Sequence, residues 1–251
     1  MLPVQRKDFI LERLRSSGQV MAKDVAAELG VTEDSVRRDL RELAADGLVQ
    51  RVYGGALPVS PALADYAARR TVAVDNKARV ARRAIELIEP GSTVILDGGT
   101  TTLAIAQALA PDLRVTVVTH SPTVAAALVE HPTAEVYLLG GMLFKHSAVT
   151  CGAAAVEAAQ AVNADLFFLG VTGVHAEAGL TTGDADEAAM KRALSRRAAD
   201  TYVLGSAEKI GAASPFTVVG LGDVAGIITD APLTDPTLNA LVDAGVSIVP
   251  A

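Results

Sequence analysis

Cysteine is nearly absent from this chain, histidine is sparse, and no long apolar run occurs; each shortage removes a class of function. The single cysteine, Cys151, excludes a disulfide framework and a cysteine-based zinc site, and is expected to be a small buried side chain. Four scattered histidines, none at carboxylate–histidine spacing, offer no ligand set, so no metal is expected. No apolar run approaches the ~18 residues of a membrane span. The opening MLPVQRKDFILERL lacks the apolar core of a signal peptide, and a cytoplasmic protein is the expectation. There is no internal repeat, no G-x-G-x-x-G fingerprint and no Walker sequence, so neither a dinucleotide, ATP nor any other cofactor is expected.

What is present is an ordinary core-forming composition, 50% hydrophobic and 20% charged over 251 residues, with a net charge of −7. The charge is unevenly placed. Residues 1–57 carry nine Lys+Arg and nine Asp+Glu, whereas residues 58–251 carry thirteen against twenty. An acidic body repels phosphate polymers, so any nucleic-acid contact belongs to the neutral first segment.

That segment reads as three helices and a hairpin. RKDFILERLRSSG places Phe9, Ile10, Leu11 and Leu14 on one stripe, and AKDVAAELG turns Val25, Ala26 and Leu29 inward. Thr32 is a good N-cap for a helix running to Ala45, with Glu33 and Asp34 in its first turn to suit the dipole. LVQRVYGGAL alternates before a Gly-Gly turn, as a small hairpin does. A connector, residues 58–75, begins proline-rich and becomes mildly helical. From residue 76 to 251, strands are predicted at 93–97, 115–119, 135–139, 165–170, 201–205, 226–230 and 246–249. Helices are predicted between them at 76–89, 101–109, 121–130, 152–160, 184–199 and 235–243. Near-continuous apolar strands divided by helices specify an α/β domain with a mostly parallel sheet covered on both faces.

In the third helix Val36, Leu40 and Leu43 recur at i, i+4 and i+7 and define the buried face. Asp34, Arg38 and Arg41 then point outward, with Ser35 and Arg37 on the flanks. A short helix, a tight turn and a second helix with outward arginines form a helix-turn-helix layout. Its second helix fits the ~12 Å major groove, where arginine reads guanine and hydroxyls reach bases or phosphates. Arg51 and Tyr53 on the hairpin form a wing. The alternative is a solvated face with local ion pairs such as Arg38–Glu42.

ILDGGTTTLAIAQAL is a strand, a glycine turn and a helix start. Gly98 and Gly99 allow close backbone approach, and Thr100, Thr101 and Thr102 offer hydroxyls at the positive end of a helix, a combination that suits an anion such as a sugar phosphate. Ligands of open α/β sheets bind at the carboxyl ends of strands. Asp97, Thr119, His120, Ser121, Gly140, Gly141, Gly173 and Lys209 lie at such ends. Asp97 is expected to meet sugar hydroxyls and Lys209 a phosphate. Glu187 and Lys191 are four apart on a helix, so they are either site residues or an intrahelical pair.

The order VTEDSVRRDLRELAADGLVQRVYGGAL, DYAARR with Lys77, ILDGGTTT, VVTHS, LLGG, DLFFLG, EAAMKRAL and EKIG resembles the DeoR family of bacterial transcriptional regulators over nearly the whole chain. The resemblance implies a winged helix-turn-helix followed by a sensor domain similar to ribose-5-phosphate isomerase and CoA-transferase folds. It implies a repressor of a sugar-catabolic operon that binds double-stranded operator DNA and responds to a phosphorylated sugar. A helix-turn-helix reads few base pairs, so a homodimer or homotetramer is expected. Two departures stand out: His120 replaces the family's common asparagine, and GSAEKIG places Ser206 and Glu208 ahead of Lys209 where the family has an aspartate. Two alternatives remain. One is a sugar-phosphate isomerase-like or CoA-transferase-like enzyme with an appended DNA-binding domain; the other is a regulator without a ligand.

Overall fold

A computed structural model describes residues 2–251. The amino-terminal module comprises α1 (Pro3–Ser17), β1 (Val20–Met21), α2 (Ala22–Leu29), α3 (Glu33–Ala45), β2 (Gln50–Val52) and β3 (Gly55–Leu57). Ile10, Leu14, Val25, Val36, Leu40, Leu43 and Val49 close its core, the stripe that the helical spacing specified. The wing is three-stranded, because β1 adds antiparallel to β3 beside the β2–β3 hairpin. A two-residue strand carries no readable alternation, which is why β1 has no signal in the sequence.

A short 3-10 turn (Pro61–Leu63) and α4 (Tyr66–Arg69) follow. Then come α5 (Val74–Ile85), β4 (Thr93–Leu96), α6 (Thr100–Ala108), β5 (Val115–Thr119), α7 (Pro122–Ala127) and β6 (Ala134–Leu138). Next are β7 (Met142–Phe144), β8 (Val149–Cys151), α8 (Ala153–Ala159), β9 (Ala164–Gly170), β10 (Gly173–His175) and β11 (Gly179–Thr182). The chain ends with α9 (Ala185–Ser195), β12 (Ala198–Leu204), β13 (Phe216–Thr217), β14 (Gly226–Thr229), α10 (Pro236–Asp243) and β15 (Ile248–Pro250).

Seven strands in the order β15-β14-β12-β9-β4-β5-β6 form one sheet, and every neighbouring pair is parallel. Side chains alternate between its two faces. Ile95 and Phe167 enter a core with residues of α8, α9 and α10, whereas Leu96 and Phe168 enter a second core with α5, α6 and α7. Both phenylalanines are fully buried; removing such a side chain from water contributes roughly 1.5–3 kcal/mol. Every predicted strand and helix of this domain exists, with ends shifted by a few residues. The hairpin β7–β8 and the small sheet β10–β11–β13 are additional. Their strands run two to four residues, too short for a period-2 pattern to register.

The connector differs from the expected free linker. Val59 bridges to Ala213, Tyr66 N–H donates to the His146 carbonyl at 2.8 Å, and the Tyr66 hydroxyl donates to Thr123 Oγ1 at 3.1 Å. Lys77 Nζ donates to the carbonyls of Val72 and of Arg69, the latter at 2.7 Å. Residues 59–72 are thus fastened onto the α/β domain.

Candidate functional site

Two groups of cations occupy opposite kinds of environment. On α3, Thr32 caps the helix by accepting from Ser35 N–H at 3.3 Å. Arg38 and Arg41 are exposed, and among the described residues neither makes an ion pair or hydrogen bond. The Arg38–Glu42 pair of the alternative reading does not form; Lys7 of α1 takes Glu42, at 2.6 Å. Arg37 does pair along the helix, with Glu33 at 2.6 Å, and Asp34 and Ser35 lie beside it at the amino-terminal end. Arg51 is exposed and Tyr53 fully so at the wing. Asp39 escaped the sequence reading. It is buried and held by Arg6 of α1 through both of its oxygens, so this residue of the Arg-Arg-Asp-Leu run fixes the orientation of α3 and does not face outward. Only tertiary packing, not the spacing within α3, could have revealed that.

The second group surrounds a narrow cavity at the carboxyl ends of β4, β9 and β12. Gly98, Gly99, Thr100, Thr101 and Thr102 of the strand–turn–helix segment line it, together with Glu187, Lys191 and Lys209. The two glycines are required. A Cβ on Gly98 would lie 1.9 Å from Val149 Cγ1, and Gly99 caps α6 at φ +129°. Arg69, Val72, Pro61 and Ala62 of the connector, together with Lys77, form another part of the wall. Sequence reasoning counted the first four as linker. The one available signal was two arginines and a nearby lysine in an otherwise unremarkable stretch.

Asp97 corrects one expectation. It is fully buried beneath the cavity, and its carboxylate is already satisfied: it accepts from Gly98 N–H at 2.7 Å, Gly170 N–H at 2.8 Å, His120 Nε2 at 2.7 Å and Lys191 Nζ at 2.5 Å. No lone pair is left for a sugar hydroxyl. Burial opposes its charge, but Lys191 and His120 outweigh that and hold the carboxyl well below the usual carboxylate range. His120 donates its other ring nitrogen to the Thr150 carbonyl at 2.8 Å and is likewise fully buried. Thr119 and Ser121 are buried and bonded to each other, Thr119 Oγ1 accepting from Ser121 N–H at 3.1 Å. None of these three lines the cavity. Gly140 and Gly141 are exposed before β7, and Gly173 packs against the Ala212–Ala213 backbone, so these glycines are also outside it.

Glu187 and Lys191 are both an intrahelical pair, at 3.2 Å, and cavity residues. Glu187 also accepts from Ser147 at 3.1 Å and Thr182 at 3.2 Å. For Lys191, burial alone would discharge the ammonium; Asp97 and Glu187 reverse this and raise its pKa. For the other cations, carboxylates such as Glu208 and Glu187 compensate burial only in part. Burial lowers the pKa of Arg69 and of Lys77, and pushes Lys209 down to about 8, with Lys77, Arg69 and Lys191 adding repulsion. Arg69 Nε and Nη2 are buried without any hydrogen-bond partner, as is Glu208 Oε2. Glu208 Oε1 accepts from the fully buried Ser206 hydroxyl at 2.7 Å, so Ser206 supports Glu208 from behind. No group of three or more His, Cys, Asp or Glu arranged to hold a metal occurs among the described residues.

Residues 6–62 match a family model described as DeoR-like helix-turn-helix domain, and residues 72–231 match one described as DeoR C terminal sensor domain. The chain belongs to the DeoR family. It is 34% identical to the HTH-type transcriptional regulator GlpR of Haloferax volcanii, over 99% of this chain and 98% of the relative. It is 34% identical to a putative aga operon transcriptional repressor of Escherichia coli, over 98% of this chain and 93% of the relative. The glycerol-3-phosphate regulon repressor of Escherichia coli is 29% identical over 97% of each chain. Among solved structures, ribose 5-phosphate isomerase from Methanocaldococcus jannaschii overlaps 54% of this chain and 53% of its own, at 18% identity and a TM-score of 0.40. That likeness is too loose to bear on activity. DeoR-family membership and the winged helix-turn-helix make this a DNA-binding transcriptional regulator, and the enzyme alternative is set aside because these full-length relatives are regulators.

Proposed function

We propose that this DeoR-family chain represses a sugar-catabolic operon in the cytoplasm and is released from operator DNA by a phosphorylated sugar. Arg38 and Arg41 of α3 read the major groove, with Thr32, Asp34, Ser35 and Arg37 at the groove edge and Arg51 and Tyr53 of the wing against the backbone. The observation that carries the effector assignment is the half-buried Arg69, whose Nε and Nη2 are buried and make no hydrogen bond, in the wall of a cavity that also holds the amino terminus of α6. An unpaired buried cation is costly, and a phosphate dianion supplies the acceptors that this one lacks. Lys77 and Lys209 add charge, the turn at Thr100–Thr102 adds backbone donors and the hydroxyls of Thr100 and Thr101, and Glu208 Oε2 accepts from a sugar hydroxyl.

The same arrangement supplies the route to DNA. Arg69 belongs to the connector, whose other end follows β3 of the wing directly. Drawing Arg69 onto a phosphate shifts the connector against the α/β domain and re-aims the winged module. A coupling of ~1–3 kcal/mol is typical for such linkage. The regulator acts as a homodimer or homotetramer, since one module contacts too few base pairs for specificity. Calorimetric titration with a panel of phosphorylated sugars and their unphosphorylated parents tests the assignment. Binding of at least one phosphorylated member, with no binding of its parent, is expected. A panel that never binds would refute it.

A further inference from the structure

Exposed large apolar side chains are scattered over most of this molecule, but six of them, Val129, Val136, Tyr137, Leu138, Met142 and Leu143, fall within one short stretch at the β6 edge of the main sheet. Residues 135–138 of β6 are all exposed, although α7 packs beside the strand. Its inner edge pairs with β5, and among the described residues no other strand pairs with its outer edge. Natural sheets guard such an edge with lysine, proline or a bulge. The strand AEVYL has no lysine, no proline and an unbroken register with β5. Met142 follows Leu138 by four residues and therefore lies within ~14 Å of it.

We infer that this edge is where a second copy of the chain docks, β6 pairing antiparallel with its twin about a twofold axis at Val136, so that two seven-stranded sheets become one. The register is self-complementary. Val136 faces Val136, Ala134 faces Leu138 and Glu135 faces Tyr137, so no carboxylate opposes its own copy. Charge selects the same area. Residues 58–251 carry thirteen basic against twenty acidic groups, and two such bodies repel; yet from Pro132 to Phe144 the only Asp, Glu, Lys or Arg is Glu135. A twofold contact is also isologous and closes after two chains, as a dimer requires.

Mass measurement by light scattering during size exclusion, at tens of micromolar protein, tests this without any ligand or DNA. Wild-type chain is expected at about twice the single-chain mass, and Val136→Lys and Tyr137→Glu at the single-chain mass. Circular dichroism should be unchanged, since both side chains are exposed. Val136→Cys is the sharper probe. Facing residues of an antiparallel pair have Cα atoms about 4.5–5.5 Å apart, inside the range a disulfide spans. Mild oxidation should join this variant into covalent dimers and leave wild type unjoined, its sole thiol, Cys151, being buried. A monomeric wild type, a dimer that survives both charge substitutions, or a Val136→Cys dimer that does not crosslink would each overturn the inference. The inference rests on the oligomer of the proposed function: a monomeric wild type would overturn both, whereas a dimer that survives the charge substitutions or does not crosslink overturns this interface alone.

Discussion

The face of α3 and the cavity above β4 are both built from clustered cations, but those of α3 are exposed and those of the cavity are largely or partly buried. Arg38 and Arg41 are exposed, and their neighbouring carboxylates, Asp39 and Glu42, are occupied by α1. In the cavity, Arg69, Lys77 and Lys209 are withdrawn from solvent far enough for burial to lower their pKa values. An exposed cation suits a polyanion that arrives with its own counterions, and its contribution is diffuse and salt-sensitive. A desolvated cation without a partner suits one small, doubly charged ligand that fits and completes it. The proposed division of partners between the two regions rests on this contrast.

The largest expected effect lies beneath the cavity. Asp97→Asn leaves Lys191 and His120 without their shared carboxylate in a fully buried position. A loss of about 3–5 kcal/mol in stability is expected, by urea denaturation. A variant as stable as wild type would mean that the network is not the cavity's foundation. Next, Arg69→Ala should weaken binding of a phosphorylated sugar by roughly thirty- to a hundredfold, since hydrogen bonds to a charged group are lost. Its operator affinity should be unchanged. Arg38→Ala and Arg41→Ala should do the opposite, each lowering operator affinity by roughly tenfold and reducing the salt dependence by about one contact, with sugar-phosphate binding and fold intact. Equal losses at both sites in any of these variants would erase the distinction between them.

The smallest effect concerns pH. The Lys209 pKa is lowered from 10.5 to about 8 in the folded chain, so between these values the unfolded chain holds more protons and stability rises with pH. A phosphate beside Lys209 favours the ammonium, so binding above pH 8 takes up a proton. Phosphate itself is fully ionised there, its second pKa being about 6. Effector affinity should therefore be highest below pH 8 and fall by somewhat under tenfold from pH 8 to pH 9. Calorimetry in buffers of different ionisation enthalpy would report the proton uptake directly. An affinity flat across this range would place Lys209 outside the phosphate contact.

Much of the fold was legible because its period is long. The stripe through Val36, Leu40 and Leu43 and the apolar strands around Phe167 and Phe168 repeat often enough to register. The glycine turn at Gly98–Gly99 was legible because two glycines between an apolar strand and a helical run mark a strand–turn–helix junction. Asp97 and His120 were placed at the right strand ends but in the wrong role, because sequence does not say whether a strand-end side chain points into the cavity or under it. Arg69 was passed over because a connector is read by its prolines and lack of pattern, whereas its docking depends on contacts such as Tyr66 with His146 and Thr123, far along the chain.

The central claim is that a cavity closed by the connector governs a DNA-reading face that it does not touch. The direct measurement is operator binding by fluorescence anisotropy against increasing phosphorylated sugar, for wild type and for Arg69→Ala. In wild type one phosphorylated sugar should weaken operator binding by roughly 5–150-fold while its unphosphorylated parent does nothing, and Arg69→Ala should bind operator normally and stay unresponsive at the same dose. A wild-type affinity that no phosphorylated sugar alters, or an Arg69→Ala response matching wild type dose for dose, would contradict it.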